Sequence, residues 1–220
     1  MGLLGLVLPS RCAVCAVPGR SLCGRCEAGL VRIAPPVCER CGCPGAWPVR
    51  RCVECAGRRL AFARARSTLV YDARARLLVS GWKERGRRDL APALATIVAE
   101  VIARPDVETL TFVPGDRERG RARGHVPAER LAEALAACWG LPVERLLART
   151  GRAPRQAGLP RSKRGANVRG SFVPRASAPR AVALIDDVYT TGATASACAT
   201  ALRRSGARQV EVVCLARAVR

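Results

Sequence analysis

Ala181-Val-Ala-Leu-Ile-Asp186-Asp187-Val-Tyr-Thr190-Thr191-Gly192-Ala-Thr194 is the most informative stretch of the chain. Val182, Leu184 and Ile185 form a short apolar run, as a parallel strand covered on both faces requires. Two carboxylates stand where this strand is expected to end. Hydroxyls and a glycine follow, then a helical run over residues 195–203. A Thr- and Gly-rich loop at a helix N-terminus aims backbone N–H groups and hydroxyls at one point, which suits a phosphate. Adjacent acids beside it suit sugar hydroxyls or a divalent cation such as Mg²⁺. A plain strand–turn–helix gives no reason for two like charges side by side, because they repel.

The remaining strands and helices are spaced to build a sheet around this unit. Residues 65–71 read as a strand, and residues 74–82 have helical apolar spacing through Leu77, Leu78 and Trp82. Residues 83–89 form a basic turn. An amphipathic helix over 90–103 and a short strand over 109–113 follow. Pro127 opens a helix that runs to Trp139. Residues 143–149, 171–173 and 209–215 complete the strand candidates. Strands alternating with helices indicate an α/β fold with a mainly parallel sheet flanked by helices.

The first 60 residues have a different character. Four C-x-x-C pairs occur in tandem: Cys12/Cys15, Cys23/Cys26, Cys38/Cys41 and Cys52/Cys55. Each such turn presents two sulfurs to one side, and two turns complete a tetrahedral Zn²⁺ site. All eight cysteines are therefore candidate metal ligands, for about two structural zinc ions. Whether the pairs combine sequentially or interleave is left open by spacing. A thioredoxin-like redox role would need one such pair in a βαβ unit, not four. Cys43 is an extra thiol outside the ligand set, and Cys138, Cys198 and Cys214 read as core residues. Residues 11–59 lack an aliphatic core of their own, so metal is expected to stabilise them. The expected division is a cysteine-rich double ribbon over 1–60 and an α/β domain over 61–220.

Charge and composition narrow the partners. Lys and Arg number 38 against 17 Asp and Glu, a formal net charge of +21. Two zinc ions held by eight thiolates would lower this only to about +17. A phosphate-bearing or polyanionic partner fits that balance. Only three Trp, three Phe and two Tyr are present, too few for an extended base-stacking platform. Residues 1–8 are apolar but short and lack a basic start, so they do not read as a secretory signal. No stretch reaches the ~20 apolar residues of a membrane span. Paired C-x-x-C thiols suit a reducing compartment, and a cytoplasmic location is expected.

The 181–194 stretch resembles the phosphoribosyl-pyrophosphate (PRPP) motif of type I phosphoribosyltransferases, with no gap from Leu184 to Thr194. The resemblance implies that Asp186 and Asp187 meet the ribose hydroxyls. It implies that Thr190, Thr191, Gly192 and Thr194 hold the 5′-phosphate, and that Mg²⁺ accompanies PRPP. In that family the loop after the 109–113 strand binds pyrophosphate, which makes Gly115, Asp116 and Arg117 weaker candidates. Residues 150–169 resemble the hood loop that closes over PRPP.

The chain as a whole resembles the ComF family of competence-associated proteins, which join a zinc module to a phosphoribosyltransferase-type domain. The resemblance rests on the four cysteine pairs, Trp82-Lys83-x-Arg85-Gly86-x-Arg88-Asp89, Arg121-x-Arg123-Gly124, Gln156-x-Gly158-Leu159, Arg164-x-x-Asn167-Val-Arg-Gly170 and the Asp-Asp stretch. It implies a PRPP-binding protein linked to DNA uptake or nucleotide metabolism. Three roles are open: a phosphoribosyltransferase, a non-catalytic PRPP- or nucleotide-binding regulator, and a competence factor that handles single-stranded DNA. One departure is plain. The family commonly continues Arg-Gly with Phe-Asn-Gln, whereas this chain has His125-Val126-Pro127, and His125 reads as packing rather than as a ligand.

Overall fold

The computed structural model describes residues 10–115, 125–150 and 170–219. Four parallel strands form the central sheet in the order β1–β6–β5–β2. They are β1 (Arg64–Val70), β2 (Thr109–Phe112), β5 (Ala181–Tyr189) and β6 (Gln209–Arg217). A separate antiparallel pair consists of β3 (Leu147–Arg149) and β4 (Phe172–Pro174). The helices are α1 (Gly24–Ala28), α2 (Ala73–Lys83), α3 (Ala91–Val101), α4 (Pro127–Trp139) and α5 (Ala193–Arg204). The expected α/β fold, a parallel sheet flanked by helices behind a cysteine-rich module, is the fold observed.

Alternation along the central strands divides the core in two, because successive side chains point to opposite faces. Ala183, Ile185, Val213 and Leu215 pack with Leu78 and Trp82 of α2, Leu94 and Val98 of α3, and Leu131 and Leu135 of α4. Val182, Leu184, Val212 and Cys214 pack on the other face with Cys198, Ala199 and Leu202 of α5. Most of these side chains are fully buried, and each contributes about 1.5–3 kcal/mol if large and apolar.

The two halves of the cysteine-rich module join opposite faces. Cys12, Leu22, Cys26 and Leu30 belong to the cluster with α2, α3 and α4. Cys38, Cys41, Cys43 and Cys55 belong to the cluster with α5. The module has few aliphatic residues of its own, and those present, such as Leu22 and Leu30, are shared with the core of the sheet. Arg85 reinforces the first contact by donating from Nη2 to the Ala13 carbonyl at 3.1 Å.

Three expectations need correction. β5 does not end at the acid pair; it continues to Tyr189, because β6 keeps pairing with it through Tyr189 and Arg217. Only the end of 143–149 is strand: Val143 makes one bridge to Leu110, and regular pairing starts at Leu147. Cys138 is exposed, whereas Cys198 and Cys214 are fully buried. On α4 the buried stripe runs through Ala128, Leu131, Ala132, Leu135 and Trp139, and Cys138 sits at its margin in the last turn. Residues 1–8 lie outside the described residues.

Candidate functional site

The cysteines fall into two groups of four. Cys12, Cys15, Cys23 and Cys26 form one set, and Cys38, Cys41, Cys52 and Cys55 the other, with all sulfurs of a set within 4.8 Å of one another. Pairing is therefore sequential. Four sulfurs at ~2.3 Å from a central Zn²⁺ stand about 3.8 Å apart. The observed Cys15–Cys23, Cys38–Cys55 and Cys41–Cys52 separations are 3.7, 3.7 and 3.5 Å. Both sets fit zinc, and four thiolates leave no open position, so the sites are structural. Cys43 is buried but belongs to neither set.

The second site arises at the carboxyl ends of the strands, where ligands of open α/β sheets gather. β2 pairs with β5 only as far as Phe112 and Ile185, whereas β6 follows β5 to Tyr189. Among the described residues, no strand lies beside that edge of β5 past Ile185. A cleft of about 670 Å³ opens there, lined by Asp186, Asp187, Thr190 and Thr194 together with Gly115, just past the end of β2. Asp187 N–H donates to Asp186 Oδ1 at 2.9 Å, and Val188 N–H to Asp187 Oδ1 at 2.7 Å. The carboxylates thus occupy the backbone edge that β2 leaves uncovered.

Thr191 and Gly192 complete the turn into α5. Gly192, rather than a threonine, is the residue before the first helical turn, with φ +72°. Any Cβ there would meet Tyr189 Oη at 2.3 Å. The helix starts two residues earlier than expected, at Ala193, so the N–H groups of its first turn lie directly behind the threonine loop, with Ala193 N–H donating to Thr191 Oγ1 at 3.4 Å. That arrangement can accept an anion.

Asp187 is not a lone charge. Lys83, at the end of α2, places Nζ 2.5 Å from Asp187 Oδ2, with the Lys side chain 39% exposed and the Asp side chain 12%. Among the described residues, Asp186 has no such close cation. Burial, reinforced by the Asp187 charge and opposed by Lys83, pushes its pKa up to about 7. Lys83 stands in the Trp82-Lys83-x-Arg85-Gly86 motif, but its partner lies more than a hundred residues later, which no local signal reveals. Arg76 and Arg149 also line the cleft, unforeseen as site residues. His125 is buried, reaches the cleft wall, and packs edge-on to Trp82 with ring centroids 5.7 Å apart. That matches the expected packing role.

Several candidates are not brought into view. Asp116 and Arg117 lie outside the described residues, as do Arg121, Arg123 and Gly124. The same holds for residues 151–169, which include Gln156, Gly158, Leu159, Arg164 and Asn167.

The fold and site define an α/β chain with a double zinc ribbon docked on both faces of a parallel sheet, and an acid pair beside a threonine loop. Comparison with known proteins agrees with the first part of that description. Residues 3–58 match the Double zinc ribbon domain family. Over 227 residues the chain is 29% identical to "DNA utilization protein YhgH" of Salmonella typhimurium, covering 96% of this chain and 99% of that protein. It is 27% identical to the protein of that name from Escherichia coli O157:H7, with the same coverage. Among solved structures it is similar to a glutamine PRPP amidotransferase from B. subtilis, with TM-score 0.41 and 22% identity. That match spans 57% of this chain and only 26% of the amidotransferase. It is also similar to a purine phosphoribosyltransferase from Pyrococcus horikoshii, with TM-score 0.31 and 19% identity, over 62% of this chain and 73% of that one. Among the described residues, no helix is long and apolar enough to cross a membrane.

Proposed function

We propose that the chain is a PRPP-binding protein of phosphoribosyltransferase type, belonging to the ComF family and serving DNA uptake or nucleotide metabolism in the cytoplasm. The observation that carries the reading is the convergence of Asp186, Asp187, Thr190 and Thr194 on one cleft at the strand ends. The roles follow from chemistry. Carboxylates accept hydrogen bonds from the two ribose hydroxyls, and the loop with the α5 N-terminus receives the 5′-phosphate. Lys83 is released from Asp187 when the ribose arrives, and its ammonium then faces the phosphoryl groups. Arg76 and Arg149 add positive charge to the walls. Mg²⁺ bound with PRPP would offset the pyrophosphate charge. In an enzyme of this type an acceptor nucleophile forms a bond to C1 as the C1–O bond breaks, and pyrophosphate leaves. The residues described here bind and orient; a regulator that stops at binding would use them in the same way.

Calorimetric titration of PRPP with and without Mg²⁺, on the parent and on Asp186→Asn/Asp187→Asn, tests this. Losing charge-assisted hydrogen bonds worth roughly 1.5–3 kcal/mol each should weaken binding at least tenfold. Equal affinity in the two proteins removes the acid pair from the ribose site.

A second reading is favoured by a separate surface. Arg40, Arg50, Arg51, Arg64 and Arg66 line an open groove across the second ribbon and the edge strand β1, with Glu39, Asp106 and Glu211 among them. With the net charge of +21, this groove supports contact with single-stranded DNA phosphates. Such binding should be weak and lose affinity steeply as salt rises; a salt-independent affinity would exclude it.

A further inference from the structure

The second ribbon contacts more than the back of the sheet. Arg217, the last residue of β6, is 1% exposed, and its guanidinium meets the second ribbon and Tyr189. It donates from Nη1 to the Cys41 carbonyl at 2.7 Å, and from Nη2 to Glu54 Oε2 at 2.6 Å. Nη2 also lies 3.7 Å from the Cys41 sulfur. Cys41 and the neighbours of Glu54, Cys52 and Cys55, belong to the second four-cysteine set. The other face of the guanidinium lies over the Tyr189 ring, 4.6 Å from its centroid. Phe62, in the segment joining ribbon to sheet, packs edge-on to the same ring at 6.3 Å.

Tyr189 is the last residue of β5 and is 4% exposed. Its hydroxyl end stands where a Cβ on Gly192 would be, so the turn over Thr190, Thr191 and Gly192 rests on this ring. The same segment touches the following helix, since Ala61 N–H donates to Ser196 Oγ at 3.1 Å. A continuous packed path therefore runs from the second cysteine set through Arg217 and Tyr189 to the threonine loop.

We propose that Arg217 is a positioning residue through which the metal-bound second ribbon holds the Thr190–Thr194 loop in its ligand-ready shape. The cleft's affinity for a phosphate-bearing ligand then depends on the integrity of the Cys38, Cys41, Cys52 and Cys55 set, although no ribbon residue lines the cleft. The affinity part of this proposal rests on the phosphate-binding reading of the loop; the loop-order part does not. The physical basis is local stability. A glycine turn with positive φ is one of several conformations for an unsupported loop, and a fixed aromatic ring beneath it selects one.

The test uses the full-length zinc-loaded protein and Arg217→Met, which removes the planar donors at similar volume. Zinc content is measured, amide hydrogen exchange is followed by mass spectrometry without ligand, and PRPP with Mg²⁺ is titrated. With both zinc ions retained, amides of residues 189–194 should exchange about tenfold faster than in the parent, while those of α4 stay unchanged. PRPP affinity should fall about tenfold. Unchanged exchange at 189–194 overturns the proposal. Should Arg217→Met lose zinc or fail to fold, Tyr189→Leu carries the test from the other end, since it leaves every ribbon residue in place. By reciprocity of coupling, it must weaken zinc retention at the Cys38, Cys41, Cys52 and Cys55 set in competition with a chelator; unaltered retention there overturns the proposal equally. If the parent shows no PRPP binding, the phosphoribosyl reading falls while the exchange data still judge the positioning role.

Discussion

Breaking the Lys83–Asp187 pair from its two ends should have unequal consequences. Asp187 is the more enclosed partner, with its side chain 12% exposed against 39% for Lys83. In Lys83→Met the Asp187 carboxylate stays enclosed beside Asp186 and loses its cation. Leaving one partner of a fully buried pair uncompensated costs about 3–5 kcal/mol. Half-exposure of the lysine screens the pair, which brings the expected cost to about 1–2 kcal/mol. In Asp187→Asn the lysine, its side chain 39% exposed, keeps its access to water, and the repulsion between adjacent carboxylates disappears. That variant should lie within about 0.5 kcal/mol of the parent, because the lost ion pair and the lost repulsion offset each other. The double variant should recover most of the loss in Lys83→Met. Urea unfolding at pH 7.5 in metal-free buffer, read as the shift in midpoint at constant slope, measures all three. Equal destabilisation by the two single variants, or a double variant no better than Lys83→Met, would refute the account of an enclosed acid pair held by one lysine.

Three further outcomes are expected. Asp186 has a folded pKa of about 7 against an ordinary value of 3.8, so the folded state binds the extra proton and stability falls as pH rises from about 4 to 7. Asp186→Asn should lack this fall, and melting curves across that range should converge with the parent at low pH and exceed it above neutrality. Gly192→Ala should cost about 1–3 kcal/mol, because φ is +72° and the new methyl meets a Tyr189 ring held under Arg217; a thermal melt equal to the parent would contradict the observed turn. Elemental analysis should give about two zinc ions per chain, and Cys23→Ser should retain one. That variant should also lose about 3 kcal/mol or more in urea, as Leu22 and Leu30 leave a core shared with α2.

How far the sequence could be read depended on the range of the forces involved. The parallel sheet was legible because apolar runs such as 182–185 and the helical stripe of α4 repeat within a few residues. The cysteine ligands were legible for the same reason, since C-x-x-C is one turn of chain. Reading failed at edges. The end of β5 is set by its partner β6, not by Asp186 and Asp187, and polar residues continue the strand because the neighbouring backbone continues to pair. Cys138 fits the periodicity of α4, yet its exposure depends on which flank of the helix has a neighbour.

Sequence alone determined the local chemistry: eight thiols in turns, two acids on a strand, hydroxyls and a glycine before a helix. Each needs only adjacent residues, because backbone geometry fixes spacing over one turn or one strand. Which cysteine pairs combine, which cation meets Asp187, and what supports Gly192 belong to the tertiary structure. Arg217 and Cys41 are 176 residues apart in the chain and 2.7 Å apart in space. That contact exists only once strand order places β6 beside β5 and the second ribbon docks against their ends, and no short pattern of residue types carries that information.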